Sequence, residues 1–206
     1  GDELYLELEG ANSSADVYLN GKKLASHDGG YSTWRVNLTS ALADTNQLCI
    51  AVDNAPNTRV YPQNADFTFY GGLYRNVNML AVAAKRFDLD SWGSQGVQIT
   101  PKITGTDADV DITAGCTNAA GCTVTYEILG SGTTVATAEV SADNAAATLH
   151  IANVHKWHGR KDPYLYTLQA TLRDGGTVVD TRTIDFGCRS FEIDPERGFI
   201  LNGEEY

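Results

Sequence analysis

The sequence predicts an all-β protein built as two consecutive β-sandwiches. Apolar and polar residues alternate along most of its length, which is the period of half-buried strands. Gly, Asn and Asp punctuate these short runs where turns are required. At 206 residues the chain is also longer than one small sandwich needs and comfortable for two, since domains commonly run to roughly 100–150 residues.

Leu4/Leu6/Leu8 mark the first strand and Val17/Leu19 the next. Asn20-Gly21 then supplies the positive φ that both central positions of a type I′ hairpin turn demand. Val36/Leu38 and Leu48/Ile50/Val52 continue the pattern, and Cys49 inside the latter run reads as a buried free thiol. Residues 53–65, rich in Asn and Pro, read as a long loop of the kind that carries function on a rigid sheet. After Val82 the pattern restarts, with residues 83–87 as the junction. Seven strand-like runs follow at 97–103, 108–115, 122–129, 133–140, 146–153, 164–173 and 177–186, which is what an immunoglobulin-like sandwich requires.

Composition excludes several functions. A net charge of −11, with no Lys/Arg cluster, argues against a nucleic-acid partner, because phosphate binding needs clustered cations. No apolar run approaches the ~20 residues of a bilayer-spanning helix. The chain opens at Gly1 without a basic and apolar leader, so this stretch predicts no secretory signal. The compartment stays open between cytoplasmic and periplasmic or secreted. Cys188 reads as a second buried free thiol, whereas Cys116 and Cys122 flank a short loop and are candidates for a bridge in an oxidising compartment. Asn12-Ser13-Ser14 and Asn37-Leu38-Thr39 fit the glycosylation sequon.

The most informative stretch is Asp66-Phe-Thr-Phe-Tyr-Gly-Gly-Leu-Tyr-Arg-Asn-Val77, in which one acidic residue precedes an aromatic strip and a Gly71-Gly72 kink. It resembles the sugar-binding-domain signature of family 2 glycoside hydrolases. Leu8-Glu9-Gly10-Ala11-Asn12, Ala15 to Lys22, His27-Asp28-Gly29-Gly30-Tyr31, Trp157 with Pro163 to Leu168, and Gly198 to Gly203 resemble further pieces of that family. The likeness thus spans essentially the whole chain. Arg75-Asn76-Val77 and Gly187-Cys188-Arg189 depart mildly from the family's usual wording, and the family's first strands before Leu4 are absent, which predicts an unpaired edge.

The resemblance implies a jelly-roll sugar-binding domain over 1–84, an immunoglobulin-like domain over 85–194, and over 195–206 the truncated start of a catalytic TIM barrel. It implies that Asp66 contacts a sugar hydroxyl directly or through sodium, that sodium or magnesium belongs only to the parent enzyme, and that this chain needs no cofactor of its own. Its partners would be a carbohydrate substrate, the barrel of the same chain and, through the open edge, a second copy. The parent would be a retaining, β-galactosidase-like enzyme, with β-glucuronidase and β-mannosidase as alternatives. Rival readings are a free-standing carbohydrate-binding module and a ligand-free structural pair of sandwiches.

Glycoside hydrolysis needs two facing carboxyl groups, roughly 5 Å apart for retention. In the family the acid/base glutamate directly follows an asparagine, and no Asn-Glu pair occurs here, so no catalytic residue is assigned in this chain. By itself Asp66 fits an aspartate capping a turn before a strand. Phe67, Phe69, Tyr70 and Tyr74 fit core aromatics on a strand, with sugar stacking as the alternative. Arg75 reads as an ion-pair or carbonyl partner. Asp107, Asp109 and Asp111 share one strand face and lack the glycine and glutamate of a calcium loop. His150, His155 and His158 lack metal-ligand spacing, so no metal is assigned.

Overall fold

The computed structural model describes residues 2–62 and 64–206. The chain divides into two compact units, one of residues 1–84 with 89–94 and one of residues 85–88 with 95–206. Among the described residues no helix is long and apolar enough to cross a membrane.

The first unit holds β1 (Glu3–Leu8), β2 (Ala11–Asn12), β3 (Ser14–Leu19), β4 (Lys22–Asp28), β5 (Trp34–Asn37), β6 (Leu48–Asp53), β7 (Gly72–Leu73) and β8 (Val77–Val82). They form antiparallel sheets ordered β5-β1-β8, β4-β3-β6 and β2-β7. Leu6 and Leu8 of β1, Ala15, Val17 and Leu19 of β3, and Trp34 and Val36 of β5 meet in one core cluster. Each large member stabilises the fold by about 1.5–3 kcal/mol through removal from water. The β3–β4 hairpin turns at Asn20 (φ 53°) and Gly21 (φ 78°), the left-handed pair that the Asn-Gly signal predicts.

Strict alternation has a second consequence at β6. Ile50 and Val52 pack partly against the core, which turns Cys49 and Ala51 to the opposite, solvent face. Cys49 is therefore an exposed free thiol, correcting the expectation that an apolar run buries it. Strands β5 and β8 are the two edges of the first sheet, each paired only with β1. Val77 and Met79, in register with the fully buried Leu8 and Leu6, remain 40% and 53% exposed.

The second unit holds β9 (Arg86–Phe87), β10 (Val97–Thr104), β11 (Asp107–Ala114), β12 (Cys116–Thr117), β13 (Thr123–Gly130), β14 (Thr133–Ser141), β15 (Ala146–Ile151), β16 (Tyr166–Asp174), β17 (Thr177–Phe186), β18 (Phe191–Asp194), β19 (Gly198–Leu201) and β20 (Glu204–Glu205). The sheets β10-β11-β15 and β14-β13-β16-β17 make the seven-stranded immunoglobulin-like sandwich, within a few residues of the predicted runs. Val110, Ile112, Leu149 and Ile151 from one sheet share a core with Val124, Tyr126, Ile128, Leu168 and Leu172 from the other. The Tyr126 hydroxyl donates to the Ala145 carbonyl at 2.9 Å, which satisfies the one polar atom of that buried ring.

Cys116 pairs with Phe87 across β12 and β9, and both it and Cys122 are free thiols. Asp107, Asp109 and Asp111 line the outer face of β11. There Asp109 meets His150 at 2.8 Å and Asp111 meets Lys102 at 2.6 Å, the solvated ladder that their spacing predicts. Residues 191–205 form a small antiparallel sheet, β18-β19-β20.

Candidate functional site

Asp66 sits in the irregular stretch that joins β6 to β7, at the end of the first sandwich where β1 finishes and β5 and β8 begin. Only Gly72–Leu73 of this region is extended, so the aromatic strip is not a strand. Phe67 is 56% exposed, Tyr70 72% and Tyr74 37%, which corrects the reading of these rings as core. The reason lies in β7, whose two residues pair only with β2 and leave residues 66–70 without a sheet to alternate against.

Side chains hold this stretch in place. Asn12 is 3% exposed, and its amide Nδ2 donates to the Tyr70 carbonyl at 2.7 Å. Gly30 lies so close beneath that amide that a Cβ there would fall 2.2 Å from Asn12 Oδ1. At Gly71 a Cβ would fall 2.7 Å from the Asn54 amide, so the kink is a close approach of backbone to side chain. The Tyr74 hydroxyl donates to the Gly30 carbonyl. Arg75 Nη1 donates to the Tyr31 carbonyl at 2.9 Å and its guanidinium lies 5.2 Å from the Tyr74 ring centre, so it is a carbonyl partner, one of the two roles expected of it.

The preceding loop is fastened separately. Asn57 Oδ1 accepts from the backbone amides of Arg59 and Val60 at 3.0 and 3.1 Å, an Asx turn that aims Arg59 at β4. Arg59 grips Asp28 through Nε at 2.6 Å and Nη2 at 3.1 Å. Those hydrogen bonds, with one from Ser14, hold the Asp28 carboxyl down at about 2. Between the loop and β2 lies a cavity of about 90 Å³ lined by Asn12, Tyr31, Asn57, Val60 and Phe69. That is room for about three waters rather than a sugar ring, whereas an open groove of about 430 Å³ beside the Arg59–Asp28 pair, lined also by Lys23, His27 and Asp53, is larger.

Asp66 itself is exposed, next in the chain to the exposed ring of Phe67, and its carboxylate can accept hydrogen bonds from hydroxyls. Among the described residues no three His, Cys, Asp or Glu gather to hold a metal. The Asn12 amide of the first sequon is buried and hydrogen-bonded, so this fold leaves no room for a glycan on it.

Sequence reasoning placed Asn12 in a strand motif and missed its role as the tether of the Asp66 stretch. No signal in the neighbouring residues could have found it, since Tyr70 lies 58 positions away. In the second unit, His155 meets Asp162 at 2.7 Å and His158 meets Glu204 at 3.3 Å, carboxylate partners that linear spacing does not reveal.

Two family models match the chain. The galactose-binding-like domain of glycosyl hydrolase family 2 matches residues 1–91, and the model described as glycosyl hydrolases family 2 matches residues 95–189. A β-glucuronidase of Bacteroides fragilis is 30% identical over 217 residues, covering 99% of this chain and 31% of that protein. The crystal structure of an FMN-binding β-glucuronidase from Facaelibacterium prausnitzii L2-6 matches with a TM-score of 0.92 at 38% identity, over 99% of this chain and 32% of that one. A putative β-galactosidase from Bacteroides fragilis matches with a TM-score of 0.90 at 34% identity, over 100% and 33%. The chain thus spans about a third of the length of these proteins.

Proposed function

From the chain's membership of glycosyl hydrolase family 2, we propose that it is the amino-terminal, non-catalytic part of an enzyme that hydrolyses terminal β-linked sugars with retention. The match of both domain models along the chain, in their sequential order, carries this reading. Its role is to shape the sugar site, with Asp66 accepting a hydrogen bond from a sugar hydroxyl. The two carboxyl groups that perform hydrolysis lie outside this chain. The substrate is a β-glucuronide or a β-galactoside, after the activities in its relatives' names.

Reading the coding sequence on from Tyr206 tests the proposal, because a (β/α)₈ barrel needs about 250 further residues of alternating strand and helix pattern. With such a barrel present, the longer protein should cleave nitrophenyl β-glucuronide or β-galactoside, and Asp66→Ala should raise KM or lower kcat/KM at least tenfold. A frame that stops within a few codons, or kinetics untouched by Asp66→Ala, would overturn it. The exposure of Phe67 and Tyr70 favours one second reading, a carbohydrate-binding module acting alone. Saturable galactose binding by this chain without a barrel would support that alternative.

A further inference from the structure

Trp92 is 96% exposed, the most exposed large apolar side chain among the described residues. Its backbone is left-handed, with φ 54°, a conformation that bulky residues rarely adopt and that persists only where the surroundings over-determine it. The surroundings here do so. One guanidinium nitrogen, Arg35 Nη1, donates to the carbonyls of both Leu89 and Ser94, at 3.1 and 2.6 Å, and so closes the two ends of the turn on a single side chain. Arg35 is itself fixed by Glu7, Nε to Oε2 at 2.7 Å, and their side chains are 9% and 13% exposed. Gly93, at φ 68°, presses against the residue before β5 so closely that a Cβ would lie 2.0 Å from the Thr33 carbonyl oxygen. The Tyr5 hydroxyl adds a bond to Asp90 at 3.3 Å.

The turn is therefore a rigid mount with an indole at its tip. Its anchor, Thr33, directly precedes β5, at the same end of the sandwich as Tyr31 and Tyr74, whose rings meet edge to face at 6.1 Å. That is also the end that carries the Asp66 stretch.

A fixed, solvated indole offers a flat, electron-rich face. The axial C–H bonds of a pyranose carry slight positive charge and meet such a face favourably, and burying the ring recovers apolar area at little conformational cost because the mount is already ordered. A polyanionic ligand would meet a chain of net charge −11. We propose that Trp92 is a stacking platform for a pyranose ring of a β-linked oligosaccharide, a second sugar contact at the end of the sandwich that bears Asp66. This rests on the reading of that end as a sugar site.

The experiment is an amide and indole NMR titration of the chain with cellotetraose, mannotetraose and β-1,4-galactotetraose in turn. The three indole N–H signals, of Trp34, Trp92 and Trp157, are assigned with Trp92→Phe. At least one tetrasaccharide should shift the Trp92 indole saturably, and Trp92→Ala should weaken its binding by about three- to tenfold. Signals of the Asn12 side-chain amide and the Tyr70 backbone report the Asp66 stretch independently. Shifts there with Trp92 unmoved would overturn the platform and leave the Asp66 reading intact. Shifts at Trp92 alone would uphold the platform and leave the Asp66 reading to the kinetics of the longer protein, whose barrel completes that site. A Trp92 signal that moves with protein concentration in place of sugar, or with none of the three sugars, would overturn the proposal.

Discussion

Leu6 and Met79 face each other in register across β1 and β8, yet Leu6 is fully buried and Met79 is 53% exposed. What covers each side chain separates them, and edge position alone does not. Strand β5 is an edge of this sheet just as β8 is, yet its Val36, the other partner of Leu6, is 5% exposed because it packs in the core cluster, which Met79 does not join. The two positions should therefore respond very differently to truncation. Leu6→Ala should cost about 2–5 kcal/mol, the loss of transfer energy plus a cavity. Met79→Ala should stay within about 0.5 kcal/mol, as surface changes do. Urea denaturation of the two variants decides the point, and equal losses would mean that the β8 edge is covered in solution.

Asn12 should be the hinge of the Asp66 stretch. Asn12→Ala leaves the Tyr70 carbonyl without its donor and a gap beside Gly30, which should cost about 1–3 kcal/mol. Hydrogen exchange across residues 64–73 should quicken in this variant while exchange in β13 and β16 stays unchanged. A uniform change across the chain would show that Asn12 supports the whole fold rather than this stretch.

His27 stacks on Trp34 with ring centres 4.8 Å apart, and its Nε2 is buried without a hydrogen-bond partner among the described residues. Burial pushes its pKa below the ordinary value, against the smaller opposing pull of Asp28. The unfolded chain therefore takes up this proton first, so the stabilising share of neutral His27 is present above about pH 6.5 and is lost as pH falls toward the lowered folded value. His150 has the opposite sign, since Asp109 raises its pKa and its share is lost as pH rises through the folded value. His27→Phe, which keeps a ring for the stack, should flatten the loss of melting temperature between pH 6.5 and 5. An unchanged slope would place the acid sensitivity elsewhere.

Thiol chemistry should single out Cys49. It is exposed on β6, whereas Cys122 and Cys188 are buried. Burial also pushes the thiols of Cys116 and Cys188 up to about 11, which leaves little thiolate at ordinary pH. Brief alkylation of the native chain with iodoacetamide at pH 8 should add one label, located at Cys49 by peptide mass mapping. Labelling of Cys116 or Cys122 first would contradict the packing around β12.

The all-β character, the Asn20-Gly21 hairpin and the seven strands of the second sandwich were legible in the chain itself, because strand period and turn chemistry are properties of neighbouring residues. Family membership was legible for a similar reason, since its motifs are contiguous runs of residues. The tertiary structure alone decided which of these residues see water. Cys49 lies in an apolar run and is exposed, Met79 is aligned with buried Leu6 and is exposed, and the aromatics after Asp66 leave the sheet altogether. Burial depends on what lies across the core and beside the edge, and those neighbours are distant in sequence. The tether from Asn12 to Tyr70 and the mount of Trp92 on Arg35 are likewise contacts between residues more than fifty positions apart, which no local pattern encodes.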